Sequence, residues 1–192
     1  DQANVPVFTS KLAASTSAGP DGRFDVGRNL SGDYIVCVQP DDFEHLDPCK
    51  WGGAPQVRAT AGAKLDVGSI VLRRGVSLKV VVEDVAGLLG SQTEAAEGGQ
   101  LQAGLYYANG IFEPMRLESV ARTGGGNVLQ FAVAIPPDVD LRIGVNSARF
   151  TLTDEAGGAV RVNAAAYAVR GASTERERVI RFRISGRQTA GR

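Results

Sequence analysis

Apolar and polar residues alternate with period two along most of the chain, the signature of strands with one buried face. Val5, Val7 and Thr9 alternate with Pro6, Phe8 and Ser10, and Asp21-Gly22-Arg23-Phe24 reads as a turn entering a strand. Further strands are predicted at Tyr34–Val38, at Val57/Ala59/Ala61 and from Leu65/Val67 on to Ile70/Leu72, each bounded by Gly, Pro or Asp. After Arg73-Arg74-Gly75 the pattern restarts, with Val76, Leu78, Val80 and Val82 on one face and Ser77, Lys79, Val81 and Glu83 on the other. The same rhythm marks Leu101–Tyr107, Ile111–Val120, Leu129–Ile135, Val139–Val145, Phe150/Leu152, Val160–Ala168 and Ile180/Phe182/Ile184. Asp154-Glu155-Ala156-Gly157-Gly158 supplies a hairpin turn. The one helix-compatible stretch, Thr93 to Glu97, is too short to stand as a helix.

This pattern predicts an all-β protein of two tandem antiparallel β-sandwiches, residues 1–74 and 75–192, with the alternate apolar residues facing two cores. At 192 residues the chain has room for either one large sandwich or two small ones. Twenty-four glycines and eight prolines, set between short Val- and Ala-rich runs, suit strands joined by turns.

Charge removes several classes of partner. Twenty-one basic and twenty-one acidic residues cancel, so no global field favours nucleic acid or an anionic membrane. The longest apolar runs, such as Val80-Val81-Val82, fall far short of the roughly 18 residues of a spanning helix, so no membrane insertion is expected. Arg181 and Arg183 alternate with Ile180, Phe182 and Ile184, which reads as a strand with a cationic solvent side. No aromatic residue is interleaved on that basic face, so it is not read as a nucleic-acid site. The chain starts at Asp1 without a charged-then-apolar leader, as would a mature form whose signal has been removed or a fragment of a longer chain.

Asp21-Gly22-Arg23-Phe24-Asp25-Val26 followed by Leu30-Ser31-Gly32-Asp33-Tyr34 resembles the signature of bacterial carboxypeptidase-regulatory-like (transthyretin-like) domains. Cys37 with Leu46-Asp47-Pro48-Cys49-Lys50-Trp51 is similar to a subtype of large secreted bacterial proteins, and Gly75 to Leu88 resembles the start of a following repeat. The likeness spans residues 5–90 well and the rest loosely. It implies an Ig-like sandwich fold, and it leaves function open among spacers, adhesive elements and fibre subunits. It also implies an extra strand ahead of Val5–Leu12, which this sequence lacks.

A sandwich short of a strand exposes unpaired backbone and apolar surface. A strand from another copy would complete it, either the N-terminal arm through Val5, Val7 and Phe8 or the C-terminal segment through Ile180, Phe182 and Ile184. Such contacts are head-to-tail and propagate into a filament unless they close a ring. The alternatives are a gap filled by a later segment of the same chain and a gap filled by sequence upstream of Asp1.

Two cysteines in a secreted-looking β protein predict a Cys37–Cys49 disulfide, two buried thiols being the alternative. Between them, Asp41, Asp42, Glu44 and Asp47 surround the only histidine, His45. The spacing lacks the ladder of a calcium loop, and one imidazole without a thiolate makes a poor zinc site, so a solvated loop without metal or cofactor is expected. A single histidine in such a loop offers no assembled catalytic group, and the chain is expected to be non-catalytic.

Trp51, Tyr106, Tyr107 and Phe112 are candidates either for core packing or for an aromatic platform that binds sugar or peptide. Asn29-Leu30-Ser31 has the form of an N-glycosylation acceptor, and Ser15-Thr16-Ser17 that of an O-glycosylated stretch. The leading expectation is a secreted, cell-surface structural subunit that self-associates into a homo-oligomer or filament. A carbohydrate- or peptide-binding accessory module, with a glycan or cell-surface ligand, is the second.

Overall fold

The computed structural model describes residues 12–27, 31–90, 101–107, 109–124 and 126–188, and the chain is nearly all β. It divides into two compact units. The N-terminal unit holds the described residues up to Gln39 together with Asp47–Leu72, and the C-terminal unit holds Pro40–Leu46 and everything described from Arg73 onward. The chain therefore leaves the first unit at Gln39, returns to it at Asp47 and leaves it again after Leu72.

The N-terminal unit carries β1 (Gly32–Ile35), a one-turn helix α1 (Pro48–Trp51) and β2 (Gln56–Ala59). β1 and β2 pair antiparallel as a two-stranded sheet, with Tyr34 opposite Val57. Asp47 caps α1 by accepting the Cys49 N–H at 2.8 Å, Pro48 occupies its first turn, and Gly52 ends it at φ 82°. Among the described residues of this unit only Pro48 is fully buried. The strand expected over Leu65–Leu72 is not formed among the described residues: that segment carries the alternation but pairs with no described strand. Strand formation needs a second backbone as well as a pattern, because an extended chain gains its ladder bonds only from a neighbour.

The C-terminal unit comprises β3 (Val76–Asp84), β4 (Leu101–Tyr106), β5 (Phe112–Pro114), β6 (Arg116–Thr123), β7 (Gly126–Ile135), β8 (Leu141–Ser147), β9 (Phe150–Asp154), β10 (Ala159–Val160), β11 (Tyr167–Val169) and β12 (Glu177–Arg187). They form a six-stranded sheet in the order β10-β9-β12-β3-β7-β6 and a four-stranded sheet in the order β11-β8-β4-β5. All pairs are antiparallel except β12 with β3, which run parallel from Glu177 opposite Ser77 to Arg183 opposite Glu83.

Burial follows the alternation in most strands, although Ser77 and Val81 of β3 and Ala132 and Ala134 of β7, on the other face of the large sheet, are buried too. Leu78, Val80 and Val82 of β3, Leu129, Phe131 and Ile135 of β7, and Phe182 and Ile184 of β12 are buried on one face of the large sheet. Leu101, Ala103 and Leu105 of β4, with Ile143 and Val145 of β8, are buried in the small sheet. Tyr167 of β11 ties the two sheets together, meeting the Phe182 ring edge-on at 5.2 Å and donating its hydroxyl to Asp154 Oδ2 at 2.9 Å. Side chains of this size, fully removed from water, each contribute about 1.5–3 kcal/mol.

Three expectations for this half of the chain change. Ile111–Val120 is not one strand: β5 and β6, separated at Met115, lie in different sheets. Val160–Ala168 is not one strand: β10 and β11 lie in different sheets, and the crossing between them turns at Asn163, which sits in the left-handed region at φ 57°. Ile180, Phe182 and Ile184, read from sequence as strand-exchange residues, lie in β12, which is hydrogen-bonded on one side to β3 and on the other to β9. Both edges of β12 are used within its own chain, which corrects that assignment.

Candidate functional site

The cysteines form the expected disulfide, with Sγ–Sγ 1.99 Å and Cα–Cα 5.4 Å, closing a loop of sequence separation 12. Cys37 is exposed and Cys49 half-buried. The acidic loop between them is solvated at Asp41, Asp42 and Glu44, as expected, but it is also anchored. Residues 40–46 belong to the C-terminal unit and are held there by both backbone and side chains.

Leu46 N–H donates to the Arg73 carbonyl at 2.9 Å, and Gly75 N–H donates to the Glu44 carbonyl at 2.7 Å, with His45 and Arg74 paired as an antiparallel bridge. Leu46 is buried, lying where a Cβ on residue 75 would otherwise stand. The Arg116 guanidinium lies 4.4 Å from the centre of the Phe43 ring and hydrogen-bonds the Asp41 carbonyl. Glu44 and Arg74 form an ion pair. The signals for this docking were the apolar pair Phe43 and Leu46 inside an acidic run and the glycine at 75, each too common to be decisive alone.

Of the residues weighed as a metal site, Asp42 and His45 meet, with His45 Nδ1 hydrogen-bonded to Asp42 Oδ2 at 2.9 Å, while Asp41 contributes its carbonyl to Arg116. Partial burial acts to raise the Asp42 pKa, but the His45 ring and the Glu44 and His45 N–H groups outweigh it and hold the carboxyl below its ordinary value. Among the described residues no three His, Cys, Asp or Glu side chains gather as metal ligands.

The aromatic candidates divide between the units. Trp51 ends α1 in the N-terminal unit, half-buried. Tyr106 and Phe112 pair at 5.0 Å on the small sheet of the other unit, and the Tyr106 hydroxyl donates to Asn146 Oδ1 at 2.6 Å. Their rings fill two notches: a Cβ at Gly104 would strike Phe112, and one at Gly144 would strike Tyr106 and the Ala164 carbonyl. Tyr107 hydrogen-bonds Glu113. These contacts lay aromatic rings against glycine backbone, a packing arrangement that compensates for missing side chains in a sheet.

The cationic side expected for Arg181 and Arg183 is neutralised. Glu83 lies 3.0 Å from Arg183 and 3.8 Å from Arg181, which also meets Glu155 at 3.6 Å. Ser15, Thr16 and Ser17 are exposed and outside any strand or helix, while Asn29, Val5, Val7 and Phe8 lie outside the described residues. Among the described residues no helix is long and apolar enough to cross a membrane.

Exposed apolar side chains and open sheet edges then define the remaining candidate surface. Leu12, Leu65 and Val71 of the N-terminal unit are 78%, 46% and 83% exposed. In the C-terminal unit the four edge strands are blunted: β10 has two residues and β11 three, β5 ends in Pro114, and β6 is bulged between Leu117 and Ser119. The two four-residue strands of the N-terminal unit are short too and carry the ion pair Asp33–Arg58 at 3.3 Å, but neither contains a proline or a bulge.

The chain matches no protein-family model, no curated protein and no solved structure.

Proposed function

We propose that the chain is a non-catalytic extracellular structural subunit made of two tandem sandwich domains of the carboxypeptidase-regulatory-like kind. The first domain is completed by a strand from another copy, so that copies join into a fibre. One observation carries this reading: among its described residues the N-terminal unit pairs only two four-residue strands, fully buries only Pro48, and offers no strand partner to the alternating segment Leu65–Leu72. A two-stranded sheet is marginal in water, and a third strand laid along it gains a full row of hydrogen bonds while covering apolar side chains. A proline in β5 and a bulge in β6 obstruct edges of the C-terminal unit in a way that β1 and β2 do not, which favours pairing at the N-terminal unit. The disulfide supports an oxidising compartment and braces the thinner unit.

The donor in this reading is the N-terminal arm, where Val5, Val7 and Phe8 lie. Negative-stain microscopy and light scattering on the intact chain and on a form lacking residues 1–12 test it. Filaments or higher oligomers from the intact chain, lost in the truncated one, are the expected result. Identical monomers from both would end the proposal.

A further inference from the structure

We propose that Asn109 is a site of spontaneous modification, losing ammonia to form a succinimide that opens to isoaspartate at the tip of the β4–β5 hairpin. The chain has six asparagines, and only Asn109 is followed by glycine; Val, Leu, Val, Ser and Ala follow Asn4, Asn29, Asn127, Asn146 and Asn163. The reaction requires the next residue's backbone nitrogen to attack the asparagine Cγ, and a glycine presents no Cβ to obstruct that approach.

The local structure brings the reacting groups together. Asn109 is exposed, and its Oδ1 accepts the Ile111 N–H at 3.1 Å, which folds the side chain back over the intervening Gly110 nitrogen and polarises the amide carbon. Gly110 stands at φ 80°, open space surrounds its Cα, and its N–H donates to the Tyr107 carbonyl at 2.9 Å. Attack requires that last bond to open. It closes a turn ahead of a three-residue edge strand, the kind of element that opens locally without the rest of the sheet. Asn127, Asn146 and Asn163 have no comparable freedom: Asn127 is buried, the Asn146 side chain accepts from Tyr106, and Asn163 bonds the Ser147 backbone through both its Oδ1 and its Nδ2.

In the step, the Gly110 N–Cγ bond forms, the Cγ–Nδ2 bond breaks and ammonia leaves with the proton from Gly110. Water then opens the ring at either carbonyl, giving aspartate or isoaspartate, with no oxidant or co-reactant. The isoaspartyl product lengthens the backbone by one methylene between Tyr107 and Ile111, so the 3.0 Å bond from Tyr107 N–H to the Ile111 carbonyl is lost. The hairpin that sets Phe112 on Tyr106 and Gly104 loosens with it.

The test incubates the intact, disulfide-bonded chain at mildly alkaline pH and maps tryptic peptides by mass. The peptide from Val80 to Arg116 contains Asn109 and no other asparagine. Its conversion to the deamidated mass, in large excess over every peptide carrying another asparagine, is expected, with isoaspartate detected by enzymatic methylation and with loss of exchange protection at the Tyr107 amide. An N109Q chain is expected to stay unmodified in that peptide. Deamidation led by another asparagine, or an unmodified Val80–Arg116 peptide when others have reacted, overturns the proposal. The ranking within the wild-type chain does not depend on the variant folding. Aspartate isomerisation at Asp21-Gly22 is distinguished by its unchanged mass.

Discussion

Truncating Leu46 to alanine removes the side chain that fixes residues 40–46 on the C-terminal unit. The site cannot close well over the space left behind. Leu46 Cδ2 lies only 2.6 Å from where a Cβ on residue 75 would stand, and the same absent Cβ would fall 2.7 Å from the Ile135 carbonyl, so backbone forms the wall. Backbone relaxes less than side chains, which places Leu46→Ala in the middle of the usual range for buried leucines, at about 3 kcal/mol. Gly75→Ala is also destabilising, because its methyl meets Leu46 and the Ile135 carbonyl. Combining the two recovers part of the loss, since the alanine methyl then enters the vacated space, and the double-mutant cycle should show a favourable coupling of about 1 kcal/mol.

Urea denaturation of the four proteins, read alongside amide exchange at Leu46 and Gly75, measures this. Those two amides donate to Arg73 and Glu44 and report the docked segment directly. Val85→Ala, at a side chain 73% exposed, serves as control and should change stability by less than about 0.5 kcal/mol. A Leu46→Ala loss as small as the control's, with exchange at Leu46 and Gly75 unchanged, would refute the docking of this segment.

Asp84 is wholly buried and accepts the Leu88 and Leu89 N–H groups, both at 2.8 Å, so Asp84→Ala strands two amides and should cost about 3 kcal/mol in urea denaturation; a loss below about 1 kcal/mol would contradict this. The Tyr167 hydroxyl, with the Gly158 N–H, holds the Asp154 carboxyl below its ordinary value of 3.8. A carboxyl depressed in the folded state stabilises above its unfolded pKa and loses that contribution as pH falls through the folded one, so stability should drop below about pH 4. Asp154→Asn should make that drop shallower, and an unchanged slope between pH 3 and 6 would count against the Tyr167 contact. Replacing Cys37 and Cys49 by serine removes a cross-link worth about 3 kcal/mol on chain entropy, an upper figure here because residues 40–46 stay held while the C-terminal unit is folded. Trypsin should then cut faster at Arg58 and Lys64, with sites in the C-terminal unit unaffected; equal resistance at Arg58 and Lys64 would show the disulfide idle.

Period-two alternation made β3, β4, β7, β8 and β12 legible, because their buried faces repeat large apolar side chains over several residues. It could not say who pairs with whom. Nothing in Ile180/Phe182/Ile184 distinguishes an edge strand from one held between β3 and β9, since alternation records the face and not the neighbours. The same limit explains Leu65–Leu72, which has the pattern of a strand but no partner among the described residues. The break in Val160–Ala168 was signalled by Asn163, whose side chain tolerates the left-handed turn, but one asparagine does not by itself end a strand, as Asn127 in β7 and Asn146 in β8 show. Of the candidate site, the cysteine pair was legible, and the Phe43/Leu46 anchor in an acidic loop was not, because its partner Gly75 lies far along the chain.

The proposal of strand exchange is tested most directly by a photo-cross-linking amino acid at position 8, in an equal mixture of light and isotopically heavy copies. Cross-links joining light to heavy chains, from position 8 to residues 32–35, 56–59 or 65–72, are the predicted result. Cross-links confined to single chains would contradict the proposal and assign the N-terminal arm to its own fold.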